Sequence, residues 1–490
     1  MNFALENILL ISSLFVLASV VASKSNLFRV LSLLLFSIVG MLAGTEQFIG
    51  IRFDNVRAAK FVGDIALILI IFSAGLDTRV SDVKKILWRG VLLSTVGVIV
   101  TAALVGVFSY AIMPISLLGA LLLGSIISST DATTIFAILR SPKNGMKGNL
   151  RQLLEFESGS NDPMAYFLTV FFIGIINGIS INSSFPIHSI AFFLSQFVIG
   201  ALVGIGMGFL IMRIANTIRL DFDGLYSVLH LASAVLTFAI ANFFNGNGFL
   251  AVYLAAIFLG NSTFVHRRSI TKHFDGQAWL MQIFVFAALG LLISPRDLLV
   301  YAPFGIAVFL FLNFVARPLI VCLLFIGSKF NFRSRIFVSW VSIKGSVSIV
   351  LAIYALHAGV PNSYPIFCIV SVVTILSVAL QGTTIPLISK LLKLNTLVRL
   401  PRHSTFEPEL ISHVNSISVT VEITEENFCC GRSIVDADFP NGLTISLIEN
   451  DGIYFVPDGQ TIFEKGDRVT VIADSVETLQ KFTSIMKTYK

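Results

Sequence analysis

Residues 124–139 read GSIISSTDATTIFAIL, and this stretch decides the fold. It lies in a long apolar run, yet seven hydroxyl or carboxylate side chains crowd the interval from Ser125 to Thr134. Hydroxyl side chains compete with the backbone for helical hydrogen bonds. A helix made from this sequence is expected to unwind locally, with Asp131 at the interruption. A matching interruption is expected at SIKGSVS, residues 342–348, where Lys344 adjoins Gly345.

The surroundings of both stretches are strongly apolar. The 490 residues are 55% hydrophobic and 13% charged, whereas soluble globular chains carry about 25% charge. A helix needs about 20 mostly apolar residues to cross the hydrocarbon core. Thirteen segments qualify, near 6–23, 27–44, 61–77, 88–112, 115–139, 151–177, 188–215, 225–243, 247–262, 279–294, 301–328, 333–357 and 365–393. The expected class is an all-α polytopic membrane protein of 13 transmembrane helices, followed by a small α/β cytosolic domain. Charge marks the boundary: Lys and Arg exceed Asp and Glu by 14 in residues 1–402 and fall short by 8 in the last 88. The predicted division is 1–395 membrane domain, 396–410 linker and 411–490 soluble regulatory domain. The start, MNFALENILLISSLFVLASVV, has no basic leader and runs directly into another apolar stretch. It reads as a retained first span rather than a signal peptide.

An odd number of spans puts the termini on opposite sides, and loop charges choose between them. With the C-terminus inside, cytoplasmic loops hold 22 Lys and Arg, while the other face holds Arg52, Arg57, Lys60 and Arg296. The excess of cations inside predicts an external N-terminus and a cytosolic C-terminus. Spans five and twelve, which hold the two interruptions, are an odd number of crossings apart and so run in opposite directions. Two broken helices of opposite orientation are the pattern of inverted repeats meeting near the midplane. Asp131 and Lys344 would then offset exposed helix ends of opposite dipole sign. The alternative is a hydroxyl-rich packing seam between helices.

The sixth predicted span contains LLEFESGSNDPMAYFL, residues 153–168. An ionisable residue at mid-membrane costs roughly 2.5 to 3.5 kcal/mol, so each needs a partner, a water-filled cavity or a task. Asp131, Glu155, Glu157, Asp162, Arg317 and Lys344 all fall inside predicted spans. Glu155, four residues after Arg151, reads as an interfacial residue, and Asp64 and Asp77 lie near a span end. On a helix Glu157 faces Asn161 and Ser158 faces Asp162. Pro163 has no amide hydrogen, which frees the carbonyl of Gly159. Such oxygen groups suit a hard cation.

ESGSND, STDATT and ARP together resemble the cation/proton antiporter family that exchanges Na⁺ or K⁺ for H⁺, in the branch with an Asn-Asp pair. The likeness runs from about residue 5 to 395. It implies that Asp162 binds the ion and the proton, with Ser158 and the backbone near Thr130 as further ligands. Asp131 is implied as the broken-helix acid and Asn161 as the mark of electroneutral members. Glu157 is implied as a structural acid paired with Arg317. Two positions depart from the pattern: Lys344 stands where relatives usually carry Arg, and Ser73 where many carry Glu. K⁺ or Na⁺ would sit transiently at Asp162, with no cofactor, no catalytic residue and no nucleic acid.

The tail resembles the C-terminal domain of regulators of potassium conductance. SVTVEIT, TISLIEN, IYFVP and DRVTVIAD alternate as strands do, and SVETLQKFTSIM reads as a helix. Binding of a small regulatory ligand such as a nucleotide and simple dimerisation both fit. GIGMGF at 204–209 lies inside a span and reads as close helix packing rather than a dinucleotide loop. The tail favours K⁺ over Na⁺ as substrate; a Na⁺/H⁺ antiporter is the alternative and a ligand-gated cation channel the more distant one. No TVGYG-like filter and no phosphate-binding loop of the GxxxxGK[ST] type occurs in the sequence. The resemblance implies a homodimer in the inner membrane of a bacterium.

Overall fold

The computed structural model describes residues 26–44, 55–84, 86–139, 145–146, 149–178, 185–218, 220, 222–264, 266–328, 330–396, 417–423, 427, 429–437, 439–440, 442–450, 453–473, 477–478 and 482. The expected span at 6–23 and most of the expected tail helix lie outside them. The chain forms two compact units, residues 1–398 and 399–490.

The first unit is helical: α1 Asn26–Gly44, α2 Val56–Asp77, α3 Leu87–Ile112, α4 Leu117–Ser128, α5 Ala132–Leu139, α6 Leu150–Ile176 and α7 Phe185–Thr217. Then come α8 Asp223–Phe243, α9 Gly248–Gly260, α10 Arg267–Leu292, α11 Pro295–Leu324, α12 Phe332–Trp340, α13 Ser346–His357 and α14 Ser363–Leu391. Among the described residues, eight helices are long and apolar enough to cross a membrane. Every predicted span from the second to the thirteenth contains helix. The tenth begins at Arg267, well before the expected 279. Apolarity marks the lipid-facing part of a helix, whereas backbone hydrogen bonding continues into polar sequence.

Both expected interruptions are present. The chain leaves the helix at 129–131, between α4 and α5, and again at 341–345, between α12 and α13. Pro163, in contrast, does not break α6, which runs unbroken from Leu150 to Ile176. The Asn247 amide donates to the Pro163 carbonyl at 2.9 Å and anchors that turn to α9. Single π-turns interrupt three of the spans, at Leu93–Gly97, Leu312–Ala316 and Ser377–Gln381. Such turns are frequent at functional sites.

The helices pack as two bundles, α1, α2 and α7 to α10 in one and α3 to α6 with α11 to α14 in the other. Small residues let backbones touch within the first bundle. A Cβ on Gly204 would lie 2.5 Å from the Ala251 carbonyl, and one on Gly208 3.1 Å from that of Ala255. GIGMGF is thus a packing face of α7 against α9. The opposite faces of α7 and α8 expose Leu202, Phe209, Val228 and Phe243, side chains suited to lipid. Among the described residues, the bundles touch most extensively where α2 meets α13.

The second unit is a four-stranded antiparallel sheet. Its strands are β1 Ile417–Glu422, β2 Leu443–Asn450, β3 Ile453–Phe455 and β4 Arg468–Ala473, in the order β1-β4-β2-β3. Alternation along β4 buries Val469, Val471 and Ala473, as the period of two requires. Val469 and Val471 pack with Ile448, Phe463 and Phe482. Burial pushes the Cys429 thiol up, so it behaves as a small core residue rather than a nucleophile.

Candidate functional site

The two interruptions cross at the centre of the first unit. The Asp131 amide donates to the Ile343 carbonyl at 2.8 Å, so each break satisfies a backbone group of the other. Contact is close: a Cβ on Gly345 would fall 1.8 Å from Asp131 Oδ2, which explains why glycine stands there.

Each charged residue lies at a helix end of opposite sign. The Asp131 carboxylate accepts from the Thr134 amide at 3.3 Å and the Thr134 hydroxyl at 3.0 Å, at the start of α5. Lys344 Nζ donates to the carbonyls of Ser129 at 2.7 Å and Ser128 at 3.4 Å, at the end of α4. An anion at amide ends and a cation at carbonyl ends is the favourable pairing with the helix dipole. The Lys344 amide in turn donates to Ser377 Oγ at 2.8 Å. Ser377 bonds Gln381, whose amide reaches Asn313 Oδ1 at 2.7 Å and the Trp340 carbonyl at 2.9 Å. The π-turns of α11 and α14 therefore supply the polar side chains that hold the second break.

From α6, Ser158, Asn161 and Asp162 meet the first break. Ser129 Oγ donates to Asp162 Oδ1 at 2.7 Å. Asn161 Nδ2 donates to Thr130 Oγ1 at 2.6 Å, and the Thr130 amide meets Asn161 Oδ1 at 3.4 Å. Thr130 Oγ1 donates to Ser158 Oγ at 3.1 Å. All five residues are at least 98% buried. Among the described residues, no ion pair involves Asp162. Glu157, five residues earlier on α6, is ion-paired with Arg317. Glu155 instead pairs with Arg151 at 2.9 Å, nearer the surface.

The structure thus gathers Asp131, Thr130, Ser158, Asn161, Asp162 and Lys344 around the crossing and sets the Glu157–Arg317 pair on the adjoining helices. Gln282 of α10 was not anticipated. Its Nε2 donates to both Asp131 oxygens, at 2.9 and 3.0 Å, from the opposite bundle. The signal available was a lone amide in AWLMQIFVFAALG, residues 278–290. Ser129 was likewise hidden among its hydroxyl neighbours. Ser73 donates to Asp275 Oδ1 at 3.0 Å, so a carboxylate from α10 meets the position where a serine departs from the pattern.

A polar cavity of about 360 Å³ opens between the bundles at one end of α2. Asp77, Asp82, Arg151 and Glu155 line it together with the buried rings of Phe136 and Phe156. Phe156 is six residues before Asp162 on α6, roughly 9 Å of helical rise.

Comparison with known proteins accords with this geometry. Residues 419–487 match the TrkA-C domain. The K(+)/H(+) antiporter NhaP2 of Shewanella sp. (strain MR-4) is 33% identical over 487 residues, covering 97% of this chain and 84% of that protein. The K(+)/H(+) antiporter NhaP of Alkalimonas amylolytica is 33% identical over 478 residues, 98% of this chain and 82% of the relative. The sodium proton antiporter MjNhaP1 from Methanocaldococcus jannaschii at pH 8 shares the fold, with a TM-score of 0.67, 23% identity, and coverage of 79% of this chain and 99% of that one. Residues 11–391 match the family described as sodium/hydrogen exchanger, transmembrane, and the chain belongs to that family.

Proposed function

We propose that this protein exchanges K⁺ for H⁺ across the cytoplasmic membrane, without net charge movement, at Asp162. One observation carries the reading: a carboxylate 98% buried, held by a serine hydroxyl and, among the described residues, ion-paired to no cationic side chain, beside the crossing of two broken helices. A bare carboxylate in such a place is costly. It is relieved by a proton or by a monovalent cation, and the two compete. Passage between faces is then permitted to the neutralised site and opposed for the bare one. Ser158, Thr130 and Asn161 supply oxygen atoms near the carboxylate, and the Glu157–Arg317 pair keeps a second acid on the same helix permanently neutralised.

The proposed arrangement has thirteen spans in inverted repeats, an external N-terminus and a cytosolic tail. The cation surplus of the loops supports this orientation. We place the protein in the inner membrane as a homodimer, with the tail as the site of regulation by a small ligand such as a nucleotide. Its work is transport rather than bond chemistry.

The test is cation-induced proton efflux from everted vesicles. Asp162→Asn is expected to abolish it, and normal exchange by that variant would remove Asp162 from the mechanism. K⁺ is preferred because the two Shewanella and Alkalimonas relatives carry K(+)/H(+) in their names. A Na⁺/H⁺ reading is favoured by a Methanocaldococcus jannaschii relative named Na(+)/H(+) antiporter 1, 26% identical over 69% of this chain. Proton flux in proteoliposomes, with K⁺ and Na⁺ compared under an imposed potential, separates these and reports electroneutrality together.

A further inference from the structure

The seam between the two bundles differs at its two ends, and α2 runs the length of it. At its C-terminal end Asp77 borders the open polar cavity. Thirteen residues earlier, roughly 20 Å along the helix, Asp64 lies in a closed contact. Tyr354 OH from α13 donates to Asp64 Oδ1, and Lys60 Nζ bonds Asp64 Oδ2 at 2.8 Å. The same ammonium stands 4.3 Å from the centre of the Tyr354 ring. Tyr166 of α6 meets that ring edge-on, with centroids 5.6 Å apart. One turn below, on the same face of α6, is Asp162. Beside this cluster the Val350 side chain of α13 packs onto the bare face of α2 at Gly63, where a Cβ would lie 2.8 Å from Val350 Cγ1.

We propose that Asp64, with Tyr354, Tyr166 and Lys60, is the latch that shuts the path to Asp162 on the face opposite the cavity. The inference rests on the antiporter reading. Asp64 and Lys60 belong to the bundle of α1, α2 and α7 to α10, whereas Tyr354 and Tyr166 belong to the other. A carboxylate-to-phenol bond across a seam is a contact that any relative movement of the bundles must break. It is charge-assisted, which makes it strong for its size, and Asp64 retains partial solvent access at 17% side-chain exposure. Opening would leave two phenol oxygens and a carboxylate along the path, all polar groups able to pass a cation or proton inward. The cavity at Asp77 and the latch at Asp64 are then the two mutually exclusive openings of one seam, with the first open here and the second shut.

The test uses a reporter thiol. The four native cysteines are replaced by Ala, Val350→Cys is introduced, and a membrane-impermeant maleimide is applied to the outside of intact cells. Asp64→Asn and Tyr354→Phe are each expected to speed labelling about tenfold, the population shift that follows loss of a charge-assisted hydrogen bond from one of two states. Unchanged labelling in both variants overturns the latch. Labelling needs no ion flux, so a failure of the antiport reading is seen separately, as an unsubstituted chain that exchanges nothing. A second measurement covers poor folding of the cysteine-free chain. Gly63→Cys with Val350→Cys places Cβ atoms about 3.6 Å apart, within the range of a disulfide. Oxidation is expected to stop proton flux and reduction to restore it; full flux in the oxidised protein overturns the proposal.

Discussion

Glu157 and Asp162 stand five residues apart on α6, at 1% and 2% exposure, and differ in what they face. Glu157 meets a guanidinium, and Asp162 meets a hydroxyl. Burial alone therefore does not decide what a membrane carboxylate does; its partner does. An acid locked to Arg317 is a fixture of the fold. An acid bonded, among the described residues, to a neutral hydroxyl and to no cation is the one left able to take up a mobile charge under the proposed exchange.

Breaking the second half of this contrast has the largest expected effect: Asp162→Asn reduces cation-induced proton flux in everted vesicles to the level of vesicles lacking the protein, with the folded yield unchanged. Next comes the fixed pair. Arg317→Met leaves Glu157 buried without its cation and is expected to cost about 3 to 5 kcal/mol, read as a lowered unfolding temperature in detergent. Glu157→Gln with Arg317→Met removes both charges and is expected to recover most of that stability while Asp162-dependent flux persists. If the double variant is folded yet inactive, the pair has a part in transport and the contrast fails. Lys344→Met strips a donor from the Ser128 and Ser129 carbonyls, with an expected cost of about 1 to 3 kcal/mol in the same unfolding measurement. The smallest effect is expected from Ser129→Ala. Loss of its hydrogen bond to Asp162 penalises the ionised, cation-holding carboxylate relative to the protonated one by about 1 kcal/mol, raising the cation concentration for half-maximal flux about fivefold. An unchanged half-maximal concentration would detach Ser129 from the ion site.

Much of this was legible in the sequence because it depended on local chemistry. The hydroxyl run around Asp131 and the glycine after Lys344 mark both breaks, since each weakens helical hydrogen bonding where it stands. The tail strands followed from their alternation. Pro163 was legible as a missing amide donor opposite the Gly159 carbonyl, but not that α6 runs on through it or that Asn247, at the start of α9, binds the proline's own carbonyl. Gln282 and Asp64 were illegible in role because their partners, Asp131 and Tyr354, lie 151 and 290 residues away in sequence. Such contacts are set by how helices cross, and periodicity along one helix carries no record of them.

The bond from Lys344 to the Ser129 carbonyl joins residues 215 positions apart, which bears on how the chain is made. During synthesis the segment around Asp131 enters the bilayer long before Lys344 and Ile343 emerge. Until they arrive, an acid and a set of unpaired peptide groups wait in oil for partners not yet translated. Biogenesis of this protein must therefore shelter that segment, in water or against the insertion machinery, and the centre of the molecule is among the last parts to assemble.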